Sequence, residues 1–507
     1  MTDTATTLAK DSGTMTKLPD AKLYIDGQLR DATGGRTFDV ISPWTGEVVG
    51  KAADGTAEDV EAAIAAARRA FDTTDWSTNV EKRVELVKKL RELFEQNRDR
   101  LGQLAIYEAG AAQGAVNRAH VDLALDGWDD YLRVFPRVEW EKDHGEKFGY
   151  GFESKRVAVR EPAGVVAAIT PWNVPLYVNI GKVVAALLAG CTVILKPAPD
   201  TPGMGAIFGE LADKAGFPAG VLNVVFGSDP AEAGEMLTGD PRVDLISFTG
   251  STGVGKRIME RGAATLKRVF LELGGKSVKI VLDDDPNFAM SVVTTMLVFH
   301  AGQGCAVQSR LLVPKSRYEE AVGILKQAYA GLGDNWGDVS NPEHIMGPVI
   351  SKRQQERVLG YIELGKQEGA TLLHGGNARP DKGNGFFVEP TVFTDVTNEM
   401  RIAQEEIFGP VLVVIPYEDD EDAIRIANDS QYGLSGGVNG GDQERAMRVA
   451  RRIRTGSVGV NNGMCIAGDI PFGGYKASGI GREWGVEGIE EYTEVKMLAW
   501  PTGRVAA

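Results

Sequence analysis

The sequence predicts an α/β protein of two domains carrying a β-ribbon, and three observations support that class. From Gly164 short β-rich runs alternate with longer helical ones, through VVAAIT, NIGKVVAALLAG, CTVILKP, GMGAIFGELADKAG, VLNVVFG and DLISFTG; that alternation is the mark of βαβ units in a parallel sheet. A similar alternation resumes after Cys305 in RLLVP, YEEAVGILKQAYAGL, VLGYIELGKQEGATLLHGG, PVLVVIPY and DAIRIANDS, and predicts a second α/β domain. Just before the first run, FESKRVAVREPAGV alternates polar and apolar residues as a paired strand does. Two readings of that strand stay open, a protruding ribbon that pairs with another subunit and a hairpin over the domain's own surface.

In chain order, the first twenty residues, MTDTATTLAKDSGTMTKLPD, are polar and lack the apolar run of about 7 to 15 residues that a signal peptide needs. They read as a disordered tail over 1–20 on a cytoplasmic protein. Between Asp59 and Leu101, VEAAIAAARRAF and VEKRVELVKKLRELFEQNRDRL carry apolar residues at helical spacing, which predicts two amphipathic helices. Beyond them no repeat, low-complexity tract or linker stands out, and 507 residues suffice for two or three domains.

Composition excludes some partners. With 55 Lys and Arg against 70 Asp and Glu, the formal charge of -15 disfavours nucleic acid and anionic membrane. The three cysteines, Cys191, Cys305 and Cys465, show neither CxxC nor Cys/His spacing, so neither a disulfide framework nor a metal site is expected.

Four segments carry chemistry. In FHAGQGCAVQSR, Cys305 follows a Gly-Gln-Gly turn at the end of an apolar, helix-like run, with small neighbours that leave its sulfur accessible; taken alone, a free cysteine more often reads as an inert buried residue. In FLELGGK, Glu272 sits at a strand end before two glycines, where partial desolvation raises a carboxylate toward the range of a general base. A charged residue on a solvated strand face is the alternative there. In TPWNVP, Asn173 stands between prolines at a strand mouth, a rigid place for an oxyanion donor. FTGSTGVGK is a glycine-rich strand-to-helix turn suited to phosphate. It is not a Walker A loop, because Arg257 follows Lys256 where a Ser or Thr is required, and it lacks the GxGxxG register.

Together these segments resemble the aldehyde dehydrogenase superfamily, through TPWNVP, LKPAPDTP, FTGSTGVG, LELGGK, GQGC, EEIFGPV and PFGGYKASGIGRE in the family's order. The resemblance implies a Rossmann-like cofactor domain over 21–144 and 163–274 and an α/β catalytic domain over 275–485. It also implies a protruding β-ribbon oligomerisation element over 145–162 and 486–507, in a homodimer or homotetramer. The implied activity is NAD(P)-dependent oxidation of an aldehyde to a carboxylic acid, with Cys305 as nucleophile and Glu272 as the base that activates the deacylating water. Asn173 and the Cys305 backbone N–H would form the oxyanion hole, and Lys182 and Glu483 match proton-relay positions.

For the cofactor, the resemblance places Ile169, Thr170, Pro171, Trp172, Lys196, Pro199, Gly250, Ser251, Leu273, Glu406 and Phe408 along its path. Pro199 stands where many NAD-preferring members have Glu, so NAD is expected with NADP as the alternative, although no new arginine stands ready for a 2′-phosphate. His300 replaces the family's more frequent Asn and is assigned to the substrate pocket or to packing. With Leu176, Tyr177, Val178, Gly181, Met464 and Ile466 it makes a mostly apolar wall without a Lys or Arg cluster, which favours an apolar or aromatic aldehyde. Cys191 and Cys465 read as structural or pocket residues. A CoA-acylating relative and a non-catalytic protein on the same fold are the competing readings; Glu272 favours hydrolysis over the first, and retention of Cys305, Glu272 and Asn173 argues against the second.

Overall fold

The structure is a computed structural model that describes residues 17–503. The two amphipathic stretches form three helices: α1 (Ala57–Thr73), α2 (Val80–Gln96) and α3 (Arg98–Ala109). The break falls at Asn97, whose side-chain amide donates to the Leu93 carbonyl at 2.8 Å, satisfying one of the acceptors that the end of α2 leaves open.

The first parallel sheet is built on β1 (Val165–Ile169), β2 (Thr192–Lys196), β3 (Leu222–Val224), β4 (Leu245–Thr249) and β5 (Arg268–Glu272). The first four are buried along their whole length, as strands covered by helices on both faces must be. α4 (Pro175–Ala189) joins β1 to β2, α5 (Pro202–Ala215) joins β2 to β3, and α6 (Thr252–Gly262) joins β4 to β5. Glu108 at the end of α3 accepts the Gly203 and Met204 amides at 2.8 and 3.1 Å, which caps α5 and ties it to the helical layer. β1 pairs with β2 on one side and β4 on the other, so the chain reverses its direction of travel across the sheet at β1. Ligand crevices of open α/β sheets lie outside the carboxyl ends of strands at such a reversal.

The second sheet holds β6 (Val278–Val281), β7 (Arg310–Pro314), β8 (Thr391–Thr394), β9 (Val411–Tyr417), β10 (Gly436–Asn439) and β11 (Gly459–Val460). Their order is β8-β9-β7-β6-β10-β11, all parallel, with Thr371–His374 antiparallel at one edge. A third sheet pairs Glu141–Gly149 with Phe152–Pro162 and the latter with Thr493–Pro501. That last strand is exposed from Glu494 to Pro501, and Val495, Met497, Leu498 and Trp500 are among its exposed side chains.

Several expectations need correction. Residues 1–16 of the tail lie outside the described residues, but Leu18 is buried and its amide bonds the Val49 carbonyl at 2.7 Å, so the chain is packed before residue 20. The ribbon starts at Glu141, ahead of residue 145, because its strand pairs with Phe152–Pro162 from there. At the other end, residues 504–507 lie outside the described residues, and the catalytic domain does not run unbroken to 485. Gly479–Ile480 adds an antiparallel edge strand to β5, while Phe472, Trp484, Ile489 and Tyr492 sit in the core of the first domain. Apolar side chains of this late segment find their cover there. Nor is the run before Cys305 a continuous helix: helix Phe288–Val293 ends early, and His300 and Ala301 adopt left-handed φ of 44° and 50°. Among the described residues, no helix is long and apolar enough to cross a membrane.

Candidate active site

The carboxyl ends of β1 and β4 lie side by side, with Phe248 paired to Ile169, so Thr170–Trp172 and Gly250–Ser251 emerge together at the mouth of the first sheet. On the far side of β4, Glu272 is the last residue of β5 and pairs with Thr249. The second domain brings Cys305 to this place through the segment that precedes β7. Gly275 allows the approach: a Cβ there would lie 2.4 Å from the Cys305 carbonyl oxygen, so only glycine lets the two loops stack.

Glu272 is buried and Cys305 half-buried, both on the wall of a cleft of about 290 Å³. The thiol and the carboxylate lie close enough to act on each other electrostatically. Burial pushes Glu272 up to about 8, reinforced by Glu483, while the Cys305 thiol and Lys182 draw it back. Burial, with the Glu272 carboxylate beside it, pushes the Cys305 thiol well above its ordinary value. A carboxyl group poised near neutrality on the same cleft wall as a thiol is suited to take that thiol's proton.

Asn173 lines the same cleft and is buried. Its side-chain amide donates to the Gln303 carbonyl at 3.1 Å, which fixes the amide plane and leaves its second N–H for another acceptor. Gln303 is itself braced: its Oε1 accepts the Ile350 amide at 2.9 Å and its Nε2 donates to the His300 carbonyl at 3.0 Å. The sequence showed Gln303 only as part of a turn; its role in holding the Asn173 amide depends on the fold.

Behind this wall, Lys182 and Glu483 form an ion pair at 2.7 Å, both buried. Lys182 also reaches Ser247 Oγ at 3.2 Å, Ser247 Oγ lies 2.9 Å from the Tyr492 hydroxyl, and the ammonium sits 4.7 Å from the Phe270 ring centre. Both residues act on Glu272 through space, Glu483 raising it and Lys182 lowering it.

A second chamber of about 420 Å³ adjoins the first, and Pro171, Trp172, Thr249, Gly250 and Ser251 line both. Ile169, Thr170, Lys196 and Pro199 line the second chamber; Leu273, Glu406 and Phe408 line the first. The residues fit an extended dinucleotide. Between the chambers, α6 opens at Ser251 with free backbone N–H groups, a natural seat for a pyrophosphate. At one end Lys196 is buried, which pushes it down to about 8. At the other, Glu406 Oε1 accepts the Gly275 amide at 2.8 Å and packs where a Gly274 Cβ would stand, and burial pushes it up to about 7. The Trp172 and Phe408 rings meet edge to face at 5.4 Å and form part of the wall near Cys305.

The substrate wall expected from the sequence is corrected. Val178 lines the cleft beside Cys305, together with Val174. Leu176 instead points into the core, Tyr177 packs on Trp484 at 4.4 Å between ring centres, and Ile466 packs half-buried against the core of the first domain. Met464 is exposed at 79%. His300 is buried and turned by its left-handed backbone onto His120, 4.9 Å away, so it is a packing residue. Two cleft residues were missed, Gln354 and Arg357 of α7 (Lys352–Gln367). Gln354 Nε2 donates to the Phe408 carbonyl at 2.7 Å and Arg357 to the Glu406 carbonyl at 2.6 Å. No motif marks them, since polar residues at helical spacing read as a solvated face. Cys191 is buried with its thiol 3.3 Å from the Tyr492 carbonyl, and Cys465 is half-buried.

The sequence profile of the aldehyde dehydrogenase family matches residues 29–498. A 3-succinoylsemialdehyde-pyridine dehydrogenase from a Pseudomonas species is 43% identical over 480 residues, covering 94% of this chain and 98% of that one. Among solved structures, betaine aldehyde dehydrogenase from Staphylococcus aureus in complex with NAD+ superposes with a TM-score of 0.90 at 36% identity, covering 94% of each chain. A mutant of aldehyde dehydrogenase C from Pseudomonas syringae, in complex with NAD+ and octanal, gives a TM-score of 0.86 at 39% identity, covering 96% of this chain and 97% of that one.

Proposed function

The chain belongs to the aldehyde dehydrogenase family, of the NAD(P)-dependent, hydrolytic type, and on that premise we propose that it oxidises an apolar or aromatic aldehyde to its carboxylic acid with NAD+ as acceptor. The observation that carries the proposal is the meeting of Cys305 and Glu272, brought from two domains onto one cleft wall that continues into a dinucleotide-shaped groove.

Cys305 gives its proton to Glu272 and adds through sulfur to the aldehyde carbon, and the carbonyl electron pair moves onto oxygen. The free N–H of the Asn173 amide and the Cys305 backbone N–H donate to that oxyanion. When bound, NAD+ supplies the acceptor for the hydride that leaves the tetrahedral carbon. The carbon is then a thioester on Cys305. Once the thiol's proton has been cleared from it, Glu272 takes a proton from water as the water oxygen adds to the thioester; the C–S bond breaks, Cys305 leaves as a thiolate that recovers this proton, and the carboxylic acid is released. The Lys182–Glu483 pair, which acts electrostatically on Glu272, serves as the relay that clears the proton.

The groove residues take matching roles: Lys196 toward the adenosine ribose, Gly250 and Ser251 at the pyrophosphate, Glu406 and Phe408 at the nicotinamide ribose. NAD+ in the complexes of the two structural relatives supports this reading. Octanal in the second supports an apolar substrate, as do Trp172, Val174, Val178 and Phe408 around the cleft, where Arg357 is engaged by the Glu406 carbonyl. The exposed ribbon strand serves a homodimer or homotetramer.

The test is a panel of aliphatic, aromatic and carboxylate-bearing aldehydes with NAD+, followed by NADH absorbance. Turnover with apolar or aromatic aldehydes, absent in Cys305→Ala, is expected. Turnover retained by Cys305→Ala would remove the nucleophile assignment, and a preference for carboxylate-bearing aldehydes would remove the substrate class.

A further inference from the structure

The second sheet repeats the arrangement that gives the first one its crevice. β6 pairs with β7 on one side and β10 on the other, so the chain reverses its direction of travel at β6, and open α/β sheets seat ligands outside the carboxyl ends of strands at such a point. A cavity of about 320 Å³ lies there. Its polar lining comes from segments at the ends of three strands: Asp285 and Asn287 after β6, with Ser291 in the helix Phe288–Val293 that follows, Asn439 at the end of β10, and Asn461 and Asn462 after β11. The cavity shares no lining residue with either chamber of the site described above, and Cys305 leads into β7 from that strand's amino end.

The side chains around it are held in place, yet hydrogen-bonding capacity is left over. Asn439 Nδ2 donates to Ser291 Oγ at 2.8 Å and to Asn462 Oδ1 at 3.3 Å, and Lys279 Nζ, from β6, donates to the same Asn462 oxygen at 3.0 Å. Asn461 Oδ1 accepts the Gly440 amide at 2.9 Å. Asn461 and Asn462 stand at left-handed φ of 49° and 61°, a conformation that Asn tolerates better than most side chains. With their oxygens engaged, the NH2 groups of these two exposed residues are left to donate. The buried residues of the lining offer the complement: Asn439 Oδ1 and Asp285 Oδ2 accept no hydrogen bond among the described residues. Asp285 and Asn439 are 6% and 3% exposed, and acceptors so placed are costly unless a donor reaches them.

We propose that this cavity binds a neutral polyhydroxylated molecule, a monosaccharide or a sugar alcohol, at a site separate from aldehyde oxidation. A hydroxyl group both donates and accepts, which is what the unpaired acceptors of Asp285 and Asn439 and the amide donors of Asn461 and Asn462 together require. The charges disfavour an ionic ligand. Among the described residues Asp285 is the one carboxylate of the lining and no arginine or lysine joins it, so an anion meets repulsion, while the Lys279 ammonium that Asp285 stabilises opposes a cation. Pro286 and Met290, the latter 62% exposed, give apolar surface to the C–H faces of such a ligand. The space far exceeds what a single water occupies.

The test is a saturation-transfer NMR titration of the full chain with glucose and with sorbitol, without aldehyde or cofactor, so that it does not depend on the oxidation chemistry. Saturable binding of at least one of them is expected. Asp285→Asn keeps the side chain's shape and its bond to the Asn287 amide but replaces an acceptor, and is expected to weaken binding about tenfold. Asn462→Asp keeps the oxygen that Lys279 and Asn439 use but removes the donor, and is expected to weaken it by a similar factor, about tenfold. Thermal denaturation checks that both variants are folded, and their near-isosteric changes leave the packing in place. Absence of saturable binding with both compounds, affinity unchanged in both variants, or tighter binding of inorganic phosphate or of ammonium than of either compound overturns the proposal.

Discussion

Lys182 and Glu483 are 301 residues apart in the chain and 2.7 Å apart in the fold, in an ion pair buried between α4 and the segment that returns to the first domain. Lys182→Met leaves the Glu483 charge without a partner in a place that water does not reach. Such a loss costs about 3–5 kcal/mol. Thermal denaturation should show a marked fall in Tm for the single variant and recovery of most of it in Lys182→Met with Glu483→Leu. An unchanged Tm in the single variant would show that the pair contributes nothing.

Glu272 is pushed up to about 8, so its basic form grows as pH rises from 6 to 9. The protonated form accepts no proton from thiol or water, and kcat/KM should therefore climb across that window and level above it. Glu272→Gln removes the base from both the thiol and the water step: rapid mixing should show no fast burst of NADH, and steady turnover should fall by about a hundredfold or more. The rising limb near pH 8 should disappear with it. A variant that keeps both the limb and the turnover would show that another group is the base.

Asn173 lines the cleft and uses one amide N–H on Gln303, which leaves the other for a second acceptor. Asn173→Ala is expected to lower kcat by about 10² to 10³, the usual effect of losing one oxyanion donor. Gln303→Ala leaves the amide in place but removes its braces to Ile350 and His300. A smaller loss of kcat is expected from it, and steady-state kinetics on both variants separates the donor from its support.

The strand Thr493–Pro501 exposes Val495, Met497, Leu498 and Trp500, an apolar edge of the kind that pairs with another chain. Val495→Asp should yield a smaller species by size-exclusion chromatography with light scattering. No change in mass would remove this strand from the interface.

Much of the site was legible because its chemistry sits where short-range signals are strong. Cys305, Glu272 and Asn173 each lie at a strand end or turn flanked by glycine or proline, and the alternation of β and helical runs located those ends. The substrate wall was less legible. Leu176, Tyr177 and Val178 are consecutive and all buried, yet only Val178 lines the cleft. On a helix buried on every side, the face that meets a cavity is set by its neighbours and not by its own periodicity. Gln354 and Arg357 escaped notice for the converse reason, since a polar helix face looks alike whether it meets water or a groove.

By itself the sequence determined the α/β class, the order of the elements and the residues with nucleophilic, basic and donor chemistry, because each follows from local periodicity, turn residues and side-chain type. Only the tertiary structure decided that Lys182 is neutralised by Glu483, that Gln303 holds the Asn173 amide, and that residues 472–492 return to the first domain. These relationships join distant parts of the chain. They depend on how two separately covered sheets are set against each other, and no window of neighbouring residues contains that information.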